Sequence, residues 1–151
     1  MAHSLGDFAA SLIGIEAGYL LWENEALEHA GKIVEEEAKR VIGTYDYGWP
    51  QLAETTQAQR EKLGYSPNEP LLREGDLRAS ISHYIDKPEH ACYVGSDSQI
   101  MVYQALGTSR IPPRDPIGGA ARAKEHEVHE ELRRSIYLRF LGMLGIGALA
   151  K

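Results

Sequence analysis

The sequence contains a single cysteine, Cys92. An internal disulfide is therefore excluded, and a reducing compartment or indifference to redox fits. Basic excess is missing too: 16 lysines and arginines against 22 aspartates and glutamates leave a net charge of −6. A duplex-binding module draws its affinity from neutralising phosphates, so tight nucleic-acid binding is disfavoured, whereas DNA sliding past a repelling surface is not. No uncharged apolar run reaches the ~20 residues of a spanning helix. The most apolar tract, SIYLRFLGMLGIGALAK, is interrupted by Arg139 and stays uncharged only over residues 140–150. It is expected to pack against protein, in its own subunit or a neighbour, and no membrane partner is expected. The first residues, MAHSLGDFAASLIGIEAGYLLW, lack a basic leading segment and carry Asp7 and Glu16, so they do not read as a signal peptide.

What is present is ordinary globular material. The chain has 151 residues, 43% apolar and 25% charged, which is expected to form one domain with a core of its own. Phe8, Leu12, Ile15, Tyr19, Trp22 and Ala26 step by four and three, the spacing of one helix face. Ile33, Val34, Ala38, Val41 and Ile42 extend the stripe, with Glu35, Glu36, Glu37, Lys39 and Arg40 expected to face water. Residues 1–43 are read as a long helical segment, whose helical pattern from Asp7 to Ile42 would span about 50 Å, with Gly14, Gly18 and Gly31 as candidate breaks. Residues 44–75 are read as loop and short polar helix, AETTQAQREKLG, stopped by Gly64.

Residues 76–108 are read as a hairpin region. Leu77, Ala79, Ile81, His83 and Ile85 alternate with polar residues over 77–86, predicting a half-buried strand whose first turn is compatible with helix. DKPEH is a turn and ACYVGS a return strand; QIMVYQAL reads as strand or short helix. Residues 109–116 form a proline loop expected to be exposed, with Pro112 and Pro113 holding it extended. Asp115 followed by Pro116 is a helix start. Ile117, Ala121, Val128, Leu132, Ile136, Phe140 and Met143 give the apolar face of a closing helix over 117–145. The expected class is α+β: long N-terminal and C-terminal helices packed on a small antiparallel sheet.

The search for chemistry finds little. In KEHEVHEELRR, His126 and His129 stand three apart among glutamates. A zinc protease helix places its histidines four apart, and a di-iron cage needs a matching motif on a second helix. The plainer reading is a solvated face with ion pairs such as Glu130 to Arg134. Cys92 reads as a small buried hydrophobe, and His83 as a core histidine with satisfied nitrogens. Ser80 and Ser82 have no paired base in sequence, and GIGALAK has no following helix to make a phosphate loop. No catalytic residue, cofactor or metal is expected. A small metal-dependent enzyme using His126, His129 and nearby glutamates is the alternative, and an antitoxin or adaptor that binds a partner through the proline loop is a third reading.

Two stretches carry a resemblance. LLREGDLRASI, then a hairpin ending YVGS, then YQALGTSRIPPRDPI ahead of a helix resembles the tailed-phage neck and tail-completion proteins, the phage tail-component and virion-morphogenesis families. Gly75, Leu77, Arg78, Ser80 and Ile81 match the strand-opening motif. Val94 and Gly95 match the strand end, and Tyr103, Gly107 and Thr108 the element that follows. IPPRDPI, Ile111 to Ile117, loosely matches the proline loop, with Ile111, Pro112, Pro113 and Arg114 in it, Asp115 inserted before Pro116 and Ile117 in place of an aromatic. WPQLAETTQAQREKLG is similar to a segment of the virion-morphogenesis branch, so the resemblance spans residues 49–122.

The resemblance implies a structural virion protein, not an enzyme, that forms a closed homo-oligomeric ring, six-fold, between head and tail. Its partners would be a portal-side connector or stopper and a tail tube or terminator protein, with DNA passing through unbound. The proline loop would dock a partner through Arg110 to Arg114, and Gly75 and Gly107 are read as positions needing backbone freedom. An acidic lumen would keep DNA from sticking.

Overall fold

The computed structural model describes residues 5–143. Side chains of residues 5–17, and of some near 20 and 140, lie outside the described set, as does the apolar tract beyond residue 143. Five helices and one hairpin follow in chain order: α1 (Leu5–Val41), α2 (Glu54–Lys62), α3 (Asp76–Ala79), β1 (Ile81–Asp86), β2 (Ala91–Ser96), α4 (Gln99–Leu106) and α5 (Pro116–Met143). The class is the expected α+β.

α1 runs unbroken for 37 residues, about 55 Å at ~1.5 Å per residue. Its glycines do not interrupt it. Gly31 instead lets the hairpin close on the helix: a Cβ there would meet Cys92 Sγ and lie 2.8 Å from the His83 ring. Of the expected stripe, Ala26, Ala38, Val41 and Ile42 are buried, Trp22 is half-buried and Tyr19 is exposed; Phe8, Leu12 and Ile15 lie outside the described side chains.

α5 starts where Asp115 and Pro116 place it, with the Gly118 N–H donating to Asp115 Oδ1 at 2.8 Å. α1 and α5 run antiparallel: Ala38 shares the core with Ala120, and farther along His29 Nδ1 meets Glu131 at 3.1 Å. Ala38 and Ala120 are the small residues where the helices meet, and Gly119 makes room for the Tyr47 ring from the loop after α1, where a Cβ would lie 2.5 Å from it. The buried alanine is Ala120 rather than the expected Ala121, which is exposed, as is Ile136.

The expected strand over residues 77–86 begins later. Gly75 adopts φ 97°, a region that costs other residues Cβ strain. From there the chain makes one helical turn, with Ala79 N–H donating to Gly75 O and Ser80 N–H to Asp76 O, both 2.9 Å. Leu77 then packs on the core while Ala79 is exposed, so the alternation there is coincidental. Arg78 Nη2 donates to Ile42 O at 2.6 Å, satisfying a carbonyl just past the end of α1. Ser80 Oγ meets Ser96 Oγ at 2.7 Å, and Ile81 is buried.

β1 and β2 pair antiparallel, with His83 opposite Val94 and Ile85 opposite Cys92. That face lies against α1. The other carries Tyr84 stacked on Tyr93 at 5.2 Å, both exposed, and Gly95, beside which a Cβ would meet nothing. An isolated two-stranded hairpin is marginal in water, and three contacts with α1 carboxylates fasten this one. His90 Nδ1 meets Glu23 at 2.6 Å, His83 Nε2 meets Glu28 at 3.0 Å, and His83 Nδ1 meets Glu35. His83 is thus the satisfied histidine its strand position predicts.

Two of the glutamates expected in water are therefore not free in it. Glu35 is half-buried against His83 and Lys39, and Glu37 is 8% exposed. Arg40 holds Glu37 through Nε and Nη2, both at 2.8 Å, and Tyr47 OH donates to it at 3.0 Å. The Arg40 hydrogen bonds outweigh burial and bring the Glu37 pKa down to about 2.

The clamp predicts a pH profile. Burial lowers the His83 pKa, but the hydrogen bonds to Glu35 and Glu28 outweigh it and the net shift is upward. Burial raises that of Glu35, but bonds from Lys39 and His83 outweigh it and the net shift is downward. A raised histidine stabilises fully below its unfolded pKa and ceases to as pH rises through its folded one; a depressed carboxyl stabilises above its unfolded pKa and ceases to as pH falls through its folded one. Both contributions are complete only between about pH 5 and 6.5. Urea denaturation is expected to give a higher midpoint at pH 5.5 than at pH 8.5, and His83→Gln to flatten that difference. An unchanged slope in the variant would remove His83 as its source.

Candidate functional site

The two distinctive stretches of the sequence, which begin at Leu71 and Tyr103, line one cleft of about 640 Å³. One wall is the turn over residues 71–77 and another the proline loop over 110–114, with the start of α2 and one side of α4 between them. Leu71 and Gly75 hold positive φ, 65° and 97°, and shape the first wall. Arg60 secures it from α2: Nε donates to Ser66 O at 2.8 Å and Nη2 to Leu72 O.

The proline loop is locked by its own backbone. Thr108 N–H donates to Ile111 O at 2.8 Å, and Thr108 Oγ1 accepts from Arg110 and Ile111 N–H at 3.2 and 3.1 Å. Gly107, at φ 74°, sits where a Cβ would lie 2.9 Å from both Ile111 O and Pro113 N, so both conformation and space call for glycine. Pro112 and Pro113 are exposed and face different recesses: Pro112 lines the cleft, while Pro113 lines a shallower hollow of about 550 Å³ with Tyr47, Trp49 and Arg122. The loop is a stiff ridge between two depressions.

Arg114 departs from expectation. The loop was predicted to be exposed throughout, yet Arg114 is 5% exposed. The chain folds back after Pro113, so that Arg114 N–H donates to Gln104 O at 2.6 Å and its Nη2 to Pro50 O at 2.7 Å. Its Nε is buried without a hydrogen-bond partner, and burial draws the guanidinium pKa down. Arg110, Thr108 and Ser109 remain exposed and Ile111 is half-buried.

The cleft is locally basic on an acidic chain. Arg60, Arg73, Arg110 and Arg114 line it against Glu74 and Asp76. Glu74 is already engaged, accepting from Tyr65 OH and lying 3.8 Å from Arg73, which stacks over the Tyr65 ring. Leu52, Leu77, Ile100 and Ile111 supply an apolar lining. Next to it, α4 presents Ile100, Val102, Tyr103 and Leu106 to solvent, with only Met101 buried.

Of the residues singled out in sequence, Gly75, Leu77, Arg110, Ile111, Pro112 and Arg114 meet at the cleft. Arg78, Ser80 and Ile81 hold the core side of the same turn. Gly107 and Thr108 build the ridge, whereas Tyr103 and Gly95 lie apart from it. Arg60 and Gln104 were not anticipated; residues in short polar helices and on α4 carry no signal of this convergence. Cys92 is half-buried, and burial raises its pKa. His126 and His129 are exposed on α5. Among the described residues no three His, Cys, Asp or Glu side chains are grouped to hold a metal ion, and no helix is long and apolar enough to cross a membrane. Compared with known proteins, the chain matches no family model, no curated protein and no solved structure.

Proposed function

We propose that this chain is a structural component of a tailed virion, placed at the head–tail neck or at tail completion, where copies form a ring and perform no catalysis. The observation that carries this reading is a pair of separate exposed apolar surfaces. One is α4, with Ile100, Val102 and Leu106; the other is the far end of the α1/α5 pair, with Tyr19, Ile136, Tyr137 and Leu138. A head-to-tail contact uses two different patches per subunit and closes into a ring when the rotation allows. Exposed apolar area of this kind marks protein association. The stiff ridge and its flanking recesses suit docking to a portal-side or tail-side protein with little ordering cost. Net negative charge suits a lumen through which DNA passes without sticking.

The test is mass by light scattering, for the protein alone and mixed with portal-bearing heads or with tail tubes. A six-subunit ring, in solution or on one of those partners, is the expected result. Ile100→Asp with Leu106→Asp is expected to leave the fold intact and abolish the ring. A monomer indifferent to both partners would overturn the reading.

A further inference from the structure

We infer that the cleft receives an acidic, apolar peptide segment of a protein partner, whose carboxylate pairs with the Arg114 guanidinium. This rests on reading the cleft as a docking site and adds the chemistry of what docks. The first observation is the buried, incompletely satisfied cation. Arg114 lines the cleft while 95% enclosed, its Nε has no hydrogen-bond partner, and no carboxylate among the described residues pairs with it. Removing a charge from water without a counter-ion is costly; Nη2 already donates to Pro50 O and Nε is enclosed, so a carboxylate seated in the cleft offsets that cost through its charge.

The second observation is charge placement. The cleft has four arginines against two acids in a chain of net charge −6. On the wall of residues 71–77 Arg73 offsets Glu74, whereas the loop contributes Arg110 and Arg114 with no acid, so an incoming carboxylate is drawn toward the loop. The third is size and lining. About 640 Å³ accommodates a few side chains, and Leu52, Ile100 and Ile111 offer apolar contact that a phosphate backbone does not use. A peptide acid flanked by apolar residues fits all three; a nucleic acid fits the first two and leaves the apolar lining unused.

The experiment is a ¹⁵N NMR titration of the full chain with two pools of blocked heptapeptides. One has a central glutamate flanked by randomised apolar residues; the other has glutamine in its place. The glutamate pool is expected to shift the amides of residues 71–77 and 110–114 together with the Arg114 Nε–H signal, and to bind at least about tenfold more tightly than the glutamine pool. Arg114→Met is expected to erase that preference while keeping the remaining spectrum. Equal binding of the two pools, no binding, or shifts confined to other surfaces would overturn the inference. So would a 12-base-pair duplex that binds the same signals more tightly than the peptides. The readout is local to the cleft and needs no ring. Rings with no acid preference would remove this inference alone, and acid preference in a chain that never assembles would remove the virion reading alone.

Discussion

Gly31→Val is expected to detach the hairpin from α1 and to lower stability by more than about 3 kcal/mol. Two effects oppose each other. Leaving glycine in the middle of a helix favours the substitution by up to about 1 kcal/mol. Against it, the new Cβ would meet Cys92 Sγ and the His83 ring, and forcing atoms into a filled interface costs about 1–3 kcal/mol or more. Valine adds two methyl groups beyond that Cβ, and moving His83 aside also breaks its bonds to Glu28 and Glu35. The cost therefore exceeds the helical gain. Thermal unfolding and limited proteolysis check this: the variant should lose its hairpin first, with cleavage in residues 80–97, while Gly31→Ala shows a smaller loss of the same kind. A valine variant as stable as the parent would mean the hairpin does not rest on this contact.

Arg114 gives the second large effect, and its sign depends on the replacement. Arg114→Glu places a carboxylate beside the Pro50 carbonyl oxygen in a nearly closed site. Burying an unpaired charge with the wrong hydrogen-bonding sense is expected to cost about 3–5 kcal/mol, a large share of the ~5–15 kcal/mol of a typical domain. Arg114→Met removes a cation that burial already disfavours, and forfeits one hydrogen bond worth about 1 kcal/mol. Its stability is expected to remain within about 1 kcal/mol of the parent. Urea denaturation of both variants separates the cases. Equal, severe losses would make Arg114 a structural prop of the loop. The predicted asymmetry would mark it as a residue kept at little benefit to the fold. Surface charge reversal in this loop belongs at Arg110, which is exposed, since reversal at the buried Arg114 disturbs the fold as well as any docking.

The long helices were legible because their signals are local. Phe8 to Ala26 repeats at the helical period, and Asp115–Pro116 combines a side-chain acceptor with a fixed φ at the right spot. His83 was legible as satisfied because strand alternation turns it inward. Most of the failures depend on a partner from another segment or on a fold-back, and one on a local turn that residue polarity alone does not reveal. Glu37 looks like one more charge in a solvated run; Arg40 on the same helix and Tyr47, arriving from the following loop, together make it a paired acceptor. Leu77 and Ala79 mimic a strand by polarity, while the turn is decided by Gly75 and its carbonyl. Arg114 looks exposed because prolines precede it, yet its position is set by Pro50 and Gln104. The cleft followed the same pattern. Its two walls were each conspicuous in sequence, but nothing in either stretch announces the other.

The antiparallel pairing of α1 with α5 also dictates an order of events during synthesis. Ala38 meets Ala120 in the core, so the pair closes only after some 80 intervening residues have been made, a long-range closure that is slow relative to local structure. The hairpin, whose strands are separated by a short turn, forms sooner and is in place to clasp α1 as soon as both have left the ribosome. Until residues 116–143 follow, the side of α1 that α5 covers has no mate. A nascent chain stalled before Pro116 would therefore hold a folded clasp on a bare helix, a species that chaperones and proteases recognise by its uncovered apolar surface.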